Sequence, residues 1–271
     1  QHEGLGTLEY LLLHQHAFAL QRQLTPRAWT GERGEEDTTV YERSTQLQWL
    51  STFPWTRLDQ RLNFGVGAAL DRVERIDVPS STTGRTRDER VAAALLEFDT
   101  RGANWWSEGA NRGQRSTLLY ETYRPFRQNG PVNYRGELLR ADLRAYLPLG
   151  RTVLALRHTE ARSRGTIEPF QLGGASDPQL QFGTVLNQRD LALRGYQGDE
   201  AALLGSQARV SSLEWRTPLA DVDRHWMVPA LGLNRVSAAV FYEQGGAWNQ
   251  GHAPRETARS VGAELLAEVR L

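Results

Sequence analysis

Apolar and polar residues alternate with a period of two along most of this chain, the pattern of a β-strand with two unlike faces. From Ala258 to Leu271, residues Val261, Ala263, Leu265, Ala267, Val269 and Leu271 share one face. Ser260, Gly262, Glu264, Glu268 and Arg270 share the other, with Leu266 the exception. Between Pro131 and Leu147 the apolar face is Leu139, Ala141, Leu143, Ala145 and Leu147, against Arg140, Asp142 and Arg144. From Trp55 to Leu70, Leu58, Leu62, Phe64, Val66, Ala68 and Leu70 oppose Arg57, Asp59, Arg61 and Asn63. Val236, Ala238, Val240 and Tyr242 oppose Ser237, Ala239, Phe241 and Glu243. About ten strands are predicted, near 8–23, 37–50, 56–76, 88–100, 114–124, 132–147, 151–162, 206–218, 234–247 and 258–271. Soluble strands average about 5–6 residues, whereas a tilted membrane strand needs about 9–11. The predicted runs have the longer, membrane-type length.

The connections fall into two kinds. Leu147-Pro148-Leu149-Gly150 and the Thr52-Phe53-Pro54 stretch read as short turns. Thr25–Asp37, Asp77–Asp88, Gly102–Arg115 and Arg162–Gly205 read as long polar loops. Short turns at one end and long loops at the other are the habit of an outer-membrane barrel. Helical periodicity, fixed repeats and an interdomain linker are not evident, so one domain is expected over 1–271.

Composition narrows the function classes. The formal net charge is zero, with 32 basic and 32 acidic residues, which argues against a general nucleic-acid binder. Every basic residue is arginine, and there is no cysteine, which excludes thiolate metal sites and cysteine nucleophiles. No apolar run reaches the length of a membrane-spanning helix. Overall hydropathy is low, as a barrel allows, because only alternate residues face lipid.

Candidate chemistry concentrates late in the chain. The long segment from about 163 to 205 carries Phe170-Gln171-Leu172-Gly173-Gly174 and then Leu193-Arg194-Gly195-Tyr196. Unpatterned loops of that size are usually functional or disordered. Two strands follow it. The first carries Glu214, with Leu213 and Trp215 on the opposite face, and the second carries Phe241-Tyr242-Glu243-Gln244-Gly245. A guanidinium can bind carboxylates bidentately and keeps its charge at any relevant pH, so Arg194 with Glu243 or Glu214 is a candidate pairing.

These two motifs, in this order, resemble the Omp85 (bacterial surface antigen D15) family of outer-membrane barrels. In that family a long loop folds into the barrel lumen with a Val/Leu-Arg-Gly-Phe/Tyr tip, here Leu193, Arg194, Gly195 and Tyr196. The inner-wall pattern is Phe-x-Asp-x-Gly, here Phe241, Glu243 and Gly245, with glutamate in the aspartate's place; Glu214 matches an acidic position on the preceding strand. The resemblance covers mainly 130–271 and implies an all-β fold, an antiparallel transmembrane β-barrel of a type with about 16 strands. It implies a bacterial outer-membrane location and insertion or translocation of polypeptides. The implied partners are outer-membrane lipid and client polypeptides, with no cofactor and no nucleic acid. Because fewer strands are counted than the family has, the chain is expected to be a segment of a longer protein, without a POTRA-type domain in these residues.

Two other readings stay open: a passive porin-like channel or membrane anchor for a fused domain, and a soluble all-β binding module. An enzyme is not expected, since no nucleophile elbow, P-loop or zincin motif is present. His14 and His16 share a strand face but read as a surface pair. Trp105-Trp106 reads as a loop-packing or membrane-edge pair, and Glu35-Glu36 as solvated charge.

Overall fold

The computed structural model of the 271-residue chain describes residues 2–10, 14–29, 38–57, 60–76, 86–103, 109–127, 134–174, 186, 189–197, 201–226, 231–252 and 257–270. Eight long strands come first: β1 (His2–Tyr10), β2 (His14–Trp29), β3 (Thr38–Arg57), β4 (Gln60–Ile76), β5 (Thr86–Asp99), β6 (Gly113–Arg127), β7 (Gly136–Leu149) and β8 (Thr152–Gly165). Three short ones follow, β9 (Phe170–Leu172), β10 (Asp190–Leu191) and β11 (Leu204–Gly205). Three more long strands end the series: β12 (Gln207–Trp226), β13 (Leu231–Trp248) and β14 (Ala258–Arg270). The long strands form one 11-stranded sheet in chain order, β8 pairing directly with β12, and each neighbouring pair is antiparallel. The short strands make a separate 3-stranded sheet within the connection between β8 and β12.

Alternation is read out on this sheet with polar residues inward. On β7, Leu139, Leu143 and Leu147 are nearly half exposed, while Arg140 and Asp142 are 1% and 2% exposed. The same holds on β13, where Val240 and Tyr242 are exposed and Ser237 and Glu243 buried. This is the reverse of a soluble sandwich, in which the apolar face is the buried one. Several buried charges on the inner face are paired, which offsets their desolvation. Arg115 is ion-paired with Glu97, which also accepts from Asn63 Nδ2 at 2.8 Å, and Asp142 accepts from Arg144 at 2.6 Å and from Thr159 at 2.9 Å.

Apolar residues reach the inner face where the β8–β12 connection lies against it. Phe170, Leu172, Leu191, Leu193 and Leu203 of the connection are buried against Tyr123, Leu138, Ala161, Ala208, Val210 and Ala247 of the wall. The connection touches both early and late strands: the Leu186 amide donates to Gln48 of β3, and Arg194 reaches Glu243 of β13. Strands far apart in the sheet order therefore curve around one shared plug.

Three expectations change. The predicted strand near 8–23 is a hairpin, β1 and β2, in which Tyr10 pairs with His14, so the sheet has eleven strands and not ten. Leu11-Leu12-Leu13 between them holds none of the usual turn residues, which hid the break. Thr52-Phe53-Pro54 is strand, not turn; β3 runs on to Arg57, which pairs with Gln60. Within β3, Pro54 pairs with Asn63 of β4, and the described β2–β3 ladder ends at Gln15 and Thr52. Gly102–Arg115 is not a loop of the long-loop end. It joins β5 to β6 at the end of the short turns, with Gly102 bridged to Arg112 and β6 already begun at Gly113. The long connection spans 166–206, since β8 still pairs with β7 through Gly165. Residues 35, 36, 105, 106 and 271 lie outside those described.

Candidate functional site

The sequence around Arg194 folds as a tight tip. Gly195 has φ of 87°, a conformation open to glycine and strained for other residues. The Tyr196 amide donates back to the Leu193 carbonyl at 3.4 Å, and the Gly174 amide donates to the Tyr196 carbonyl at 2.8 Å. Leu191, Ala192 and Leu193 are all buried immediately before Arg194, so apolar packing helps seat the tip. The Tyr196 hydroxyl donates to the Arg259 carbonyl at 3.0 Å, fastening the tip to β14.

Arg194 then meets three carboxylates on three consecutive strands. Its Nε donates to Glu243 Oε1 at 2.9 Å and its backbone N–H to Glu243 Oε2 at 2.8 Å. Its Nη2 lies 2.7 Å from Glu243 Oε1 and 2.8 Å from Glu214 Oε2, and its Nη1 lies 2.8 Å from Glu264 Oε1. The guanidinium carbon is 3.5 Å from the centre of the Phe241 ring, a cation–π contact. Burial disfavours the charged guanidinium, but hydrogen bonds to Glu243, Glu264 and Glu214 outweigh it and hold its pKa above the ordinary arginine value. Glu243 is 3% exposed, and its described bonds run to Arg194. Glu214 is shared with Arg216, whose Nε is 2.5 Å away.

Register explains the convergence. Ser212 of β12 pairs with Glu243, and Glu214 with Phe241; on the far side of β13, Phe241 pairs with Gly262 and Ala239 with Glu264. Alternation turns Glu214, Glu243 and Glu264 to the same face, within one or two residues of a common row. Two glycines make room. A Cβ on Gly262 would lie 2.5 Å from the Phe241 ring, and one on Gly245 would lie 3.0 Å from Leu172 of the connection.

The structure thus brings together Arg194, Gly195, Tyr196, Phe241, Glu214, Glu243 and Gly245. Glu264 was not singled out from sequence, although its alternation with Ser260 and Gly262 already placed it on the inner face. The arrangement binds charge to charge, and an arginine so held keeps its charge at ordinary pH. Among the described residues no group of His, Cys, Asp or Glu is spaced to hold a metal ion. His16 stacks on Trp49, with ring centroids 6.2 Å apart. A groove on the outer face, beside Leu143, Leu156 and Leu213, contains a His158 Nδ1 to Ser211 Oγ contact of 2.9 Å and is separate from the Arg194 cluster.

Fold and geometry together define a class: an antiparallel β-barrel sheet with a polar interior, filled by its own long loop. No family model matches the chain, and no curated protein does. Among solved structures it is similar to BamA from Haemophilus ducreyi lacking POTRA domains 1–3, with a TM-score of 0.59 and 11% identity. That match covers 96% of this chain and 54% of the BamA chain, so this chain spans about half of that protein's length. At such low identity the likeness is one of fold.

Proposed function

We propose that this chain is an outer-membrane β-barrel of the Omp85/D15 type, in which Arg194 locks a lumen-entering loop to inner-wall carboxylates, and which serves insertion or translocation of client polypeptides. The observation that carries the reading is the arginine of an Arg-Gly-Tyr loop tip on Glu214, Glu243 and Glu264 of three successive strands, inside a sheet whose exposed face is apolar. Lipid is the natural solvent for that face. The long strands of 13 to 20 residues, β1 apart, exceed the roughly 9–11 needed to cross a bilayer. Exposed aromatics sit toward both ends of the strands, Phe53 and Trp55 near the turn end of β3 and Tyr41 near its loop end, as interfacial girdles would. The likeness to the BamA barrel supports the same reading. Partners on this reading are outer-membrane lipid and an unfolded client, and the role needs no cofactor.

The passive-channel reading is disfavoured by the apolar plug, because Phe170, Leu172 and Leu193 pack against the wall where a porin keeps water. The test is heat-modifiability of the protein in detergent, wild type against Arg194→Ala. A folded band that shifts on boiling, and that the substitution weakens, is expected. A protein that stays soluble without detergent and shows no shift would remove the outer-membrane reading.

A further inference from the structure

The plug has a second polar attachment, on the wall opposite Arg194 and with the charges reversed. Here the loop supplies the carboxylate and the wall the cations. Glu168, in Ile167-Glu168-Pro169 just after β8, accepts from Arg75 Nη2 of β4 and Arg87 Nη1 of β5, both at 2.8 Å. All three side chains are largely buried, at 13%, 11% and 8% exposure. Two further contacts fasten the same side of the loop. Leu186 is clamped by β3: its amide donates to Gln48 Oε1 at 3.0 Å, and its carbonyl accepts from Gln46 Nε2 at 2.9 Å. Arg189 lies over the Tyr123 ring at 4.2 Å.

The two attachments differ in what the wall keeps if the loop leaves. Arg75 is also held by Glu42 at 3.0 Å. Arg87 is also held by Glu89 at 2.8 Å and by Glu42 at 3.3 Å. Both wall arginines therefore retain carboxylate partners without Glu168. Without Arg194, the described contacts leave Glu243 a buried carboxylate with no cation. A stranded buried charge is far costlier than a pair that loses one of several partners.

We propose that Glu168 is a second, releasable anchor of the loop: it seats the outgoing limb on Arg75 and Arg87, and this limb lets go of the β3–β5 wall while Arg194 keeps the tip fixed. The inference rests on the loop-in-lumen reading above and adds a direction to it. The lumen opens along β3–β5, with the β12–β14 side as the pivot.

Two amides bonded to the wall report the two ends separately: Leu186, bound to Gln48, and Arg194, bound to Glu243. Site-resolved amide hydrogen exchange on the full chain in detergent micelles compares wild type, Glu168→Gln and Glu168→Asp. In Glu168→Gln the Leu186 amide should exchange roughly tenfold to a hundredfold faster, with the Arg194 amide unchanged and Glu168→Asp close to wild type. Arg75→Gln, which leaves Arg87 on Glu42 and Glu89, should shift the Leu186 amide in the same direction by less. An unchanged Leu186 amide, or equal loosening of both amides, would overturn the proposal. Exchange reads the anchor wherever the barrel resides, whereas heat-modifiability reads the membrane assignment, so either idea can fail without the other.

Discussion

The tip of the plug and its outgoing limb are both tied to the inner wall by charge-assisted hydrogen bonds of similar length, yet the two ties differ in kind. At the tip one loop cation serves three wall carboxylates, and Glu243 has its described bonds with Arg194 alone. At the limb one loop carboxylate joins two wall arginines that Glu42 and Glu89 already hold. Arg194 makes more such bonds than Glu168, but the count alone does not decide which tie is permanent. What separates them is the state of the wall after the loop departs, because an uncompensated buried charge is a much larger penalty than a shared bond. A permanent anchor and a releasable one can thus be made from the same two residue types with their places exchanged.

The largest effect should come from emptying the tip. Arg194→Ala leaves Glu243 buried without a cation and should destabilise the docked loop by about 3–5 kcal/mol. The measurement is the midpoint of unfolding in detergent, followed by loss of the heat-modifiable band. A cost no greater than that of Glu168→Gln in the same assay would erase the distinction between the anchors. The next effect has the opposite sign. Adding Glu243→Gln to Arg194→Ala removes the stranded charge and should restore about 1–2 kcal/mol. If the double variant is as unstable as the sum of its parts, the stranded charge is not the source of the cost.

How far this contrast was legible in the sequence depends on what each anchor uses. The strands were visible because alternation survives any register, and eleven were nearly all found as runs; the β1–β2 hairpin was missed because the sequence Leu11-Leu12-Leu13 carries no break signal between them. Arg194 and Glu243 sit in short patterned motifs, so both could be named, and they are in contact. Glu264 lies in a plain alternating strand, and only the pairing of Ala239 with Glu264 brings it beside the guanidinium. Glu168 had no local signal. It stands before Pro169 in an unpatterned stretch, and its partners are 93 and 81 residues away on strands it never pairs with. Curvature of the sheet makes that contact, and curvature is not written in any one strand.

A smaller effect tests whether the tip depends on packing as well as charge. Gly262→Ala places a Cβ where the Phe241 ring now lies, at 2.5 Å, and the ring must tilt from under Arg194. Overpacking of this kind costs about 1–3 kcal/mol. The expected result is a lowered unfolding midpoint together with faster exchange of the Arg194 amide and an unchanged Leu186 amide. Loosening at Leu186 instead would mean that the two anchors are one cooperative unit.

The smallest effect should come from Glu264→Gln, and it separates burial from mere proximity. Glu264 is as close to the guanidinium as Glu214, both at 2.8 Å, but its side chain is 38% exposed against 13% for Glu214 and 5% for Glu243. Solvent screens an exposed pair, so its loss should cost about 0–1 kcal/mol and shrink further as salt is raised. Glu243→Gln in the same buffer should cost more and respond less to salt, since its carboxylate is desolvated. Equal costs with equal salt dependence would show that distance alone grades the three carboxylates. The argument from what the wall is left with, on which the difference between tip and limb depends, would then lose its footing.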